Sequence, residues 1–367
     1  MLPFIFAWKG MKIFSLLLQA LSFKMKTYFE VQKMNNLKDR VTIYEVALAS
    51  GVSLATVSRV INHQGNVTDK TREKVEATIK RLGYKPSGLA QALATNRSTT
   101  IGIVIPSANY VYIANFLNGI TTAAKEKGYG LSLFVTSHSK EDAISVVEKV
   151  ITSHVDGAII FDDELDEQDY EKLAKYNVPT IVVNNKVEEE RIGCIVFGYE
   201  HNLRLILEKR FIGKKEAKTP TFIHVHNCGR LLARTEKAFV NFFNENGIKY
   251  NIVTADDSSE RTYSDFIEYF KTHKEGYFVA YRDSIGAAII NAATDSGLKI
   301  PEDVEVVSII GTKYANIIRP TLSSMYIDMQ DVGKKAMYML GDLSKGELAN
   351  KTYRIESTFK KRDSTKE

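Results

Sequence analysis

Residues 51–67 read GVSLATVSRVINHQGNV, a short segment that mixes small and hydroxylated residues with evenly spaced valines. Just upstream, Thr42 followed three residues later by Glu45 forms a capping box, which opens a short helix, IYEVALA, with Val46 and Ala47 facing inward. Gly51 supplies the positive φ of a tight turn, and Ser53 is the N-cap of a second helix. Two helices joined by so short a glycine-containing turn predict a helix-turn-helix. On the second helix Val57, Val60 and Ile61 fall at the spacing of a buried face. Ser53, Leu54, Ala55, Thr56, Ser58, Arg59 and Asn62 are left on the outward side and at the N-terminal end, the part of such a motif that meets base edges in a major groove. Small side chains permit close approach, hydroxyls reach phosphates, and an arginine pairs bidentately with guanine. A third helix, capped by Thr68 or Thr71 and stopped by Gly83, turns Val75, Ile79 and Leu82 toward the same core.

The charge distribution agrees with a polyanionic partner at this end of the chain. The 367 residues carry a net charge of +5, but residues 1–37 hold five basic side chains against one acidic, residues 38–97 ten against five, and the remainder 34 against 38. The cationic character is thus confined to the region before residue 98. Length and composition suit a soluble protein of two or three domains. The two cysteines, Cys194 and Cys228, belong to no CxxC pattern and suggest neither a disulfide framework nor a zinc knuckle, which fits a reducing cytoplasm. Residues 1–40 form an N-terminal extension with two apolar runs, each short of the ~18 residues of a spanning helix. The expectation is that translation starts at Met34 or Met25, and that no membrane is involved.

From Ile101 the pattern changes. IGIVIP, GLSLFVT, GAIIF, PTIVV and CIVF are buried-strand runs separated by helical stretches such as FLNGITTAAKEKG, and after residue 220 the alternation repeats with TFIHVH, NIVT, YFVAY and VEVVSIIG. Strand and helix in alternation predict parallel sheets wrapped by helices, in two successive lobes.

The stretch from Val41 to Ala94, with TVSRVIN at its centre, resembles the head of the LacI/GalR family of bacterial transcriptional repressors. VDGAIIF, GLKIPEDVEVVSIIG, RPTLSSM and DMQDVGKKAMYMLGDL extend the resemblance through the body. It implies an α helix-turn-helix head over residues 41–86, a hinge helix over 87–97, and over 98–360 an α/β body of two parallel-sheet lobes like the sugar-binding periplasmic proteins. It implies base reading by Leu54, Ala55 and Arg59, phosphate or helix-end roles for Thr42, Ser53, Thr56, Ser58 and Asn62, a backbone contact from Tyr44, and a minor-groove wedge at Leu93, which would kink the duplex. It also implies a homodimer on a palindromic DNA operator of carbohydrate-metabolism genes, with an effector altering the angle between lobes and so the hinge and operator affinity. At the positions where relatives hold sugar, the chain keeps Asp283 but has Arg282 in place of the usual asparagine and Lys313 in place of an aspartate, with Arg234 near the expected arginine. A cation where sugar hydroxyls are usually gripped points to an anionic effector or none. Leu54-Ala55 and the ending TFKKRDSTKE are similar to the catabolite control protein A branch, whose corepressor is serine-phosphorylated HPr. The expected small-molecule effector is a sugar or sugar phosphate, with phosphorylated HPr the alternative coregulator.

Other patterns carry less. HVHNC places His224, His226 and Cys228 on one strand face, an arrangement zinc could use, but no fourth ligand is evident and no metal is expected. The acidic run DDELDEQDYEK from Asp162 reads as a solvated helix start, and VEEER from Val187 as a surface loop. With no P-loop, no GxGxxG after a strand and no GxSxG, neither an enzyme nor a bound cofactor is expected. The competing reading, suggested by the lobes and the apolar leader, is an exported carbohydrate-binding transport receptor.

Overall fold

A computed structural model describes residues 41–85, 98–107, 110–136, 139–214, 218–226 and 229–366. The extension before residue 41 and the hinge segment, Leu93 included, lie outside the described residues. The chain divides into two compact units at residues 96 and 97.

Among the described residues the first unit holds the helices α1 (Ile43–Ser50), α2 (Leu54–Ile61) and α3 (Asp69–Leu82). Both halves of the capping box form: the Thr42 N–H donates to Glu45 Oε2 at 2.6 Å and the Glu45 N–H to Thr42 Oγ1 at 3.4 Å. Gly51, at φ 64°, ends α1 in the left-handed region and donates its N–H to the Ala47 and Leu48 carbonyls. Ser53, two residues on, then accepts the Thr56 N–H on its Oγ at 3.2 Å and caps α2, which begins at Leu54. Val46, Val57, Val60 and Val75 are fully buried together, with Ile43, Ala47, Ile61, Ile79 and Leu82 packed around them. Val75, Ile79 and Leu82 of α3 face this core as expected, Ile79 and Leu82 half-buried, and Thr78 is buried beside them with its hydroxyl donating to the Lys74 carbonyl. At the start of α3, Thr68 makes no side-chain cap; its hydroxyl pairs with that of Thr71 at 2.9 Å.

The second unit comprises two lobes. The first sheet, in order β11-β5-β4-β3-β1-β2, is wholly parallel: β1 (Thr100–Ile105), β2 (Gly130–Val135), β3 (Gly157–Ile160), β4 (Thr180–Val183), β5 (Ile192–Gly198) and β11 (Thr352–Glu356). Its connecting helices are α4 (Val111–Lys127), α5 (Lys140–Thr152) and α6 (Glu167–Ala174). The second sheet, in order β12-β10-β9-β8-β6-β7, contains β6 (Pro220–Val225), β7 (Asn251–Ala255), β8 (Gly276–Arg282), β9 (Val304–Ile310), β10 (Ser323–Tyr326) and β12 (Thr358–Lys360). Only its β10–β12 pair is antiparallel. Around it lie α7 (Glu200–Phe211), α8 (Gly229–Glu245), α9 (Ser259–Thr272), α10 (Asp283–Asp295) and the short α11 (Tyr314–Ile317). The α-plus-α/β fold class expected from the sequence is the one observed.

The chain passes from one lobe to the other three times, after β5, after β10 and after β11. The second passage leads into α12 (Met329–Lys345), which packs on α4 of the first lobe. Two glycines let these helices meet backbone to backbone: a Cβ on Gly119 would stand 1.9 Å from the Gln330 carbonyl oxygen, and one on Gly333 2.1 Å from that of Phe116. In the second lobe the fully buried Glu305 of β9 takes the guanidinium of Arg210 on α7, the Lys218 ammonium at 3.4 Å and the Lys366 N–H at 2.9 Å. Residues past 360 are therefore part of this lobe, with the Ser364 hydroxyl donating to the Val306 carbonyl at 2.6 Å.

Overpacking at the α4–α12 contact gives a direct check. Gly333→Ala should lower the unfolding free energy by about 1–3 kcal/mol, read from the urea midpoint. Gly341→Ala on the same helix, where no atom lies within 4 Å of the added carbon, should be neutral or stabilising by up to about 1 kcal/mol.

Candidate nucleic-acid interface and interlobe cleft

With its valines buried, α2 turns the rest of its surface to solvent. Ser53, Leu54, Ala55, Arg59 and Asn62 are exposed and Thr56 and Ser58 half-exposed, so one continuous face carries two small apolar side chains, three hydroxyls, an amide and a guanidinium. It has no acidic residue. The hydroxyls are pre-arranged: Ser53 Oγ and Thr56 Oγ1 lie 2.8 Å apart, and Asn62 Nδ2 donates to Ser58 Oγ at 3.3 Å. Tyr44 on α1 is 69% exposed, too open for a core role. Thr42 is engaged in capping, its hydroxyl 2.9 Å from Glu45 Oε2.

In the body, the strands of both sheets end at a common cleft, the place where open parallel sheets receive ligands. Its hollow is walled by Tyr112, Phe161, Phe197, Tyr199 and Tyr281, with Asp163 and Asn184 as polar groups. The rings interlock, Phe161 against Phe197 with centroids 6.0 Å apart and Phe197 against Tyr199 at 6.1 Å. Burial holds the Tyr112 and Tyr199 hydroxyls well above the ordinary tyrosine range. A polar chain crosses between the lobes: Arg234 Nη2 donates to Asn184 Oδ1 at 3.0 Å, and Asn184 Nδ2 to Asp163 Oδ1 at 2.9 Å.

The four side chains singled out as effector candidates do not line this hollow. Arg282, at the end of β8, is buried and paired with Asp257. Asp283 accepts from the Thr312 N–H at 2.5 Å, the Thr312 hydroxyl at 2.7 Å and the Ala315 N–H at 3.2 Å, so it fastens the loop after β9. Arg234 holds Asn184 and pairs with Glu200 at 3.2 Å. Lys313 is exposed, 5.9 Å from the Tyr314 ring.

One other sequence expectation changes. The run from Asp162 is not a solvated helix start: Asp162 is fully buried and accepts the Thr136 hydroxyl at 2.6 Å, Asp163 reaches the cleft, and helix begins only at Glu167. Two acids directly after a buried strand lie at the ligand end of the sheet, which is the signal that would have identified them. VEEER is a loop as expected, with Glu188 and Glu190 exposed, though Val187 is buried with its N–H against Cys194 Sγ at 3.2 Å. His224 pairs with Glu236 at 2.6 Å and meets the His226 ring edge-on, while Cys228 lies outside the described residues.

Burial raises the Asp163 carboxyl to about 6, against the countering Asn184 hydrogen bond and Arg234 charge, with Asp162 and Glu164 adding repulsion. A carboxyl whose folded value exceeds its unfolded one binds its proton more tightly in the folded protein, so stability falls as pH rises from about 4 through 6. Asp163→Asn should remove that slope and raise stability at pH 7.5 by about 1–2 kcal/mol, measured as a melting-temperature difference across pH 4.5–7.5.

Comparison with known proteins bears on both sites. Residues 42–87 match the family model described as bacterial regulatory proteins, lacI family, and residues 217–365 that of the periplasmic binding protein-like domain. The HTH-type transcriptional regulator pepR1 of Lactobacillus delbrueckii subsp. lactis is 30% identical over 327 residues, covering 84% of this chain and 93% of the relative. Catabolite control protein A of Priestia megaterium is 29% identical over 311 residues, covering 82% and 91%. Among solved structures, the lac repressor dimer bound to operator and the anti-inducer ONPF superposes with a TM-score of 0.76 at 25% identity, covering 89% of this chain and 99% of that one. These relatives are transcription regulators, not enzymes, and the transport-receptor reading is not favoured. Among the described residues no helix is long and apolar enough to cross a membrane. The chain belongs to the LacI family of bacterial regulatory proteins and is a DNA-binding transcription regulator.

Proposed function

We propose that the chain is a cytoplasmic, non-enzymatic repressor of carbohydrate-metabolism genes, acting as a homodimer on a palindromic operator. The observation that carries this reading is the outward face of α2, where Leu54, Ala55 and Arg59 stand exposed above a fully buried valine cluster. Arg59 is assigned to a guanine, Leu54 and Ala55 to close apolar contact with base edges, and Ser53, Thr56, Ser58, Asn62, Thr42 and Tyr44 to phosphates or helix ends. A wedge at Leu93 and a hinge over residues 87–97 complete the proposal. Two heads related by a two-fold axis would read half-sites about one helical turn apart.

Of the coregulators considered, a sugar phosphate in the cleft would meet Arg282 and Arg234 already engaged within the protein. That supports a coregulator binding outside the hollow, and serine-phosphorylated HPr is the one that the sequence resemblance to the catabolite control protein A branch implies. Anisotropy titration of labelled operator with and without phosphorylated HPr tests this: the reading expects tighter operator binding with it, and loses this element if only sugar phosphates change affinity.

Arg59→Ala should weaken specific operator binding by about 1–3 kcal/mol and relax preference at one position of each half-site. A gel-shift series on wild-type and single-base-changed operators measures both effects, and unchanged affinity and preference would remove α2 from base reading.

A further inference from the structure

Arg282 closes β8, a strand in the interior of the second sheet, and its side chain therefore arrives where the strand ends converge on the cleft. There it is received by the protein itself. Its guanidinium pairs with Asp257, just beyond the end of β7, and lies over the ring of Tyr110 at 4.5 Å from the centroid. Tyr110 belongs to the other lobe, at the N-cap of α4, and its hydroxyl donates to Asp257 Oδ2 at 3.1 Å. Two of the three contacts thus cross the cleft.

We propose that Arg282, Asp257 and Tyr110 form a latch that holds the two lobes closed across the cleft. The contrast in burial supports it: the Arg282 side chain is 7% exposed and that of Asp257 39%. A desolvated guanidinium depends on its counter-charge and on the aromatic face that shields it. Separating the lobes would remove the Tyr110 ring and its hydroxyl together, leaving a wetter and weaker ion pair. The Tyr110 ring is also stacked on Tyr112 at 5.5 Å, which fixes its position at the mouth of the aromatic hollow. Arg234 to Asn184 and Arg230 to Asp166 at 3.9 Å cross the same cleft from α8 and add to the closure, but both arginines are more exposed than Arg282.

The test is a pulsed electron-resonance distance measurement on the full-length, ligand-free protein. Nitroxides are placed at Glu167→Cys on α6 and Lys271→Cys on α9, with Cys228→Ser as background and Cys194 buried. Wild type should give one narrow distance distribution, with an open population of about a tenth or less. Asp257→Ala should move more than about half of the molecules to a longer distance. Tyr110→Phe, which leaves the Arg282–Asp257 pair in place, should raise the open fraction at least several-fold. A wild type that is already broadly open, or an Asp257→Ala distribution that superposes on wild type, overturns the latch. If Asp257→Ala fails to fold, Tyr110→Phe decides alone, and a distribution unchanged from wild type overturns it. Operator binding does not enter this measurement, so the regulator assignment and the latch succeed or fail separately.

Discussion

Four valines decide which side of α2 faces the solvent. Val46, Val57, Val60 and Val75 come from three helices and are buried against one another, and among the described residues of the first unit they form the fully buried centre on which a two-turn helix is oriented. Rotating α2 by one residue would expose Val57 and Val60 and bury Arg59, an unpaired charge in an apolar core. The outward face is thus a consequence of packing, and its chemistry follows: small, hydroxylated, with a guanidinium and no carboxylate. The caps act on the same constraint from the ends. Gly51 and Ser53 confine the turn to so few residues that α2 has one direction in which to leave α1.

Much of this was legible before the structure. A capping box, a turn glycine and a serine cap are local signals, needing only the residues within one turn of helix, and they formed where the sequence put them. The strands of four or more consecutive apolar residues were legible for a different reason: a strand buried on both faces by helices has no polar side to disguise it. β10, β11 and β12 were not, because SSMY, TYRIE and TFK carry no such run. β11 is a strand because it lies beside β5, and β12 because it lies beside β10; both pairings bridge long stretches of chain that a window along the sequence does not span.

The cleft was the least legible part. Substitution at the family's sugar positions was visible in the sequence, and it suggested cations facing a ligand. The fold instead surrounds those cations with their own partners. Arg282 meets Asp257 and Tyr110, Arg234 meets Asn184 and Glu200, and Asp283 is consumed by the loop after β9. None of these partners is near in sequence, apart from the strand-end rule that places all of them at one edge of two sheets. Asp163 shows the same limit in reverse: its run of acids looks solvated in one dimension and is half enclosed by aromatic rings in three.

The central claim is that α2 reads duplex DNA in a paired, two-fold arrangement. Selection of bound sequences from a random duplex pool by the purified full-length protein tests it most directly. The account predicts an enriched inverted repeat with half-sites about one helical turn apart, whose enrichment collapses for Arg59→Ala. No enriched motif, or one lacking two-fold symmetry and indifferent to Arg59, would contradict it.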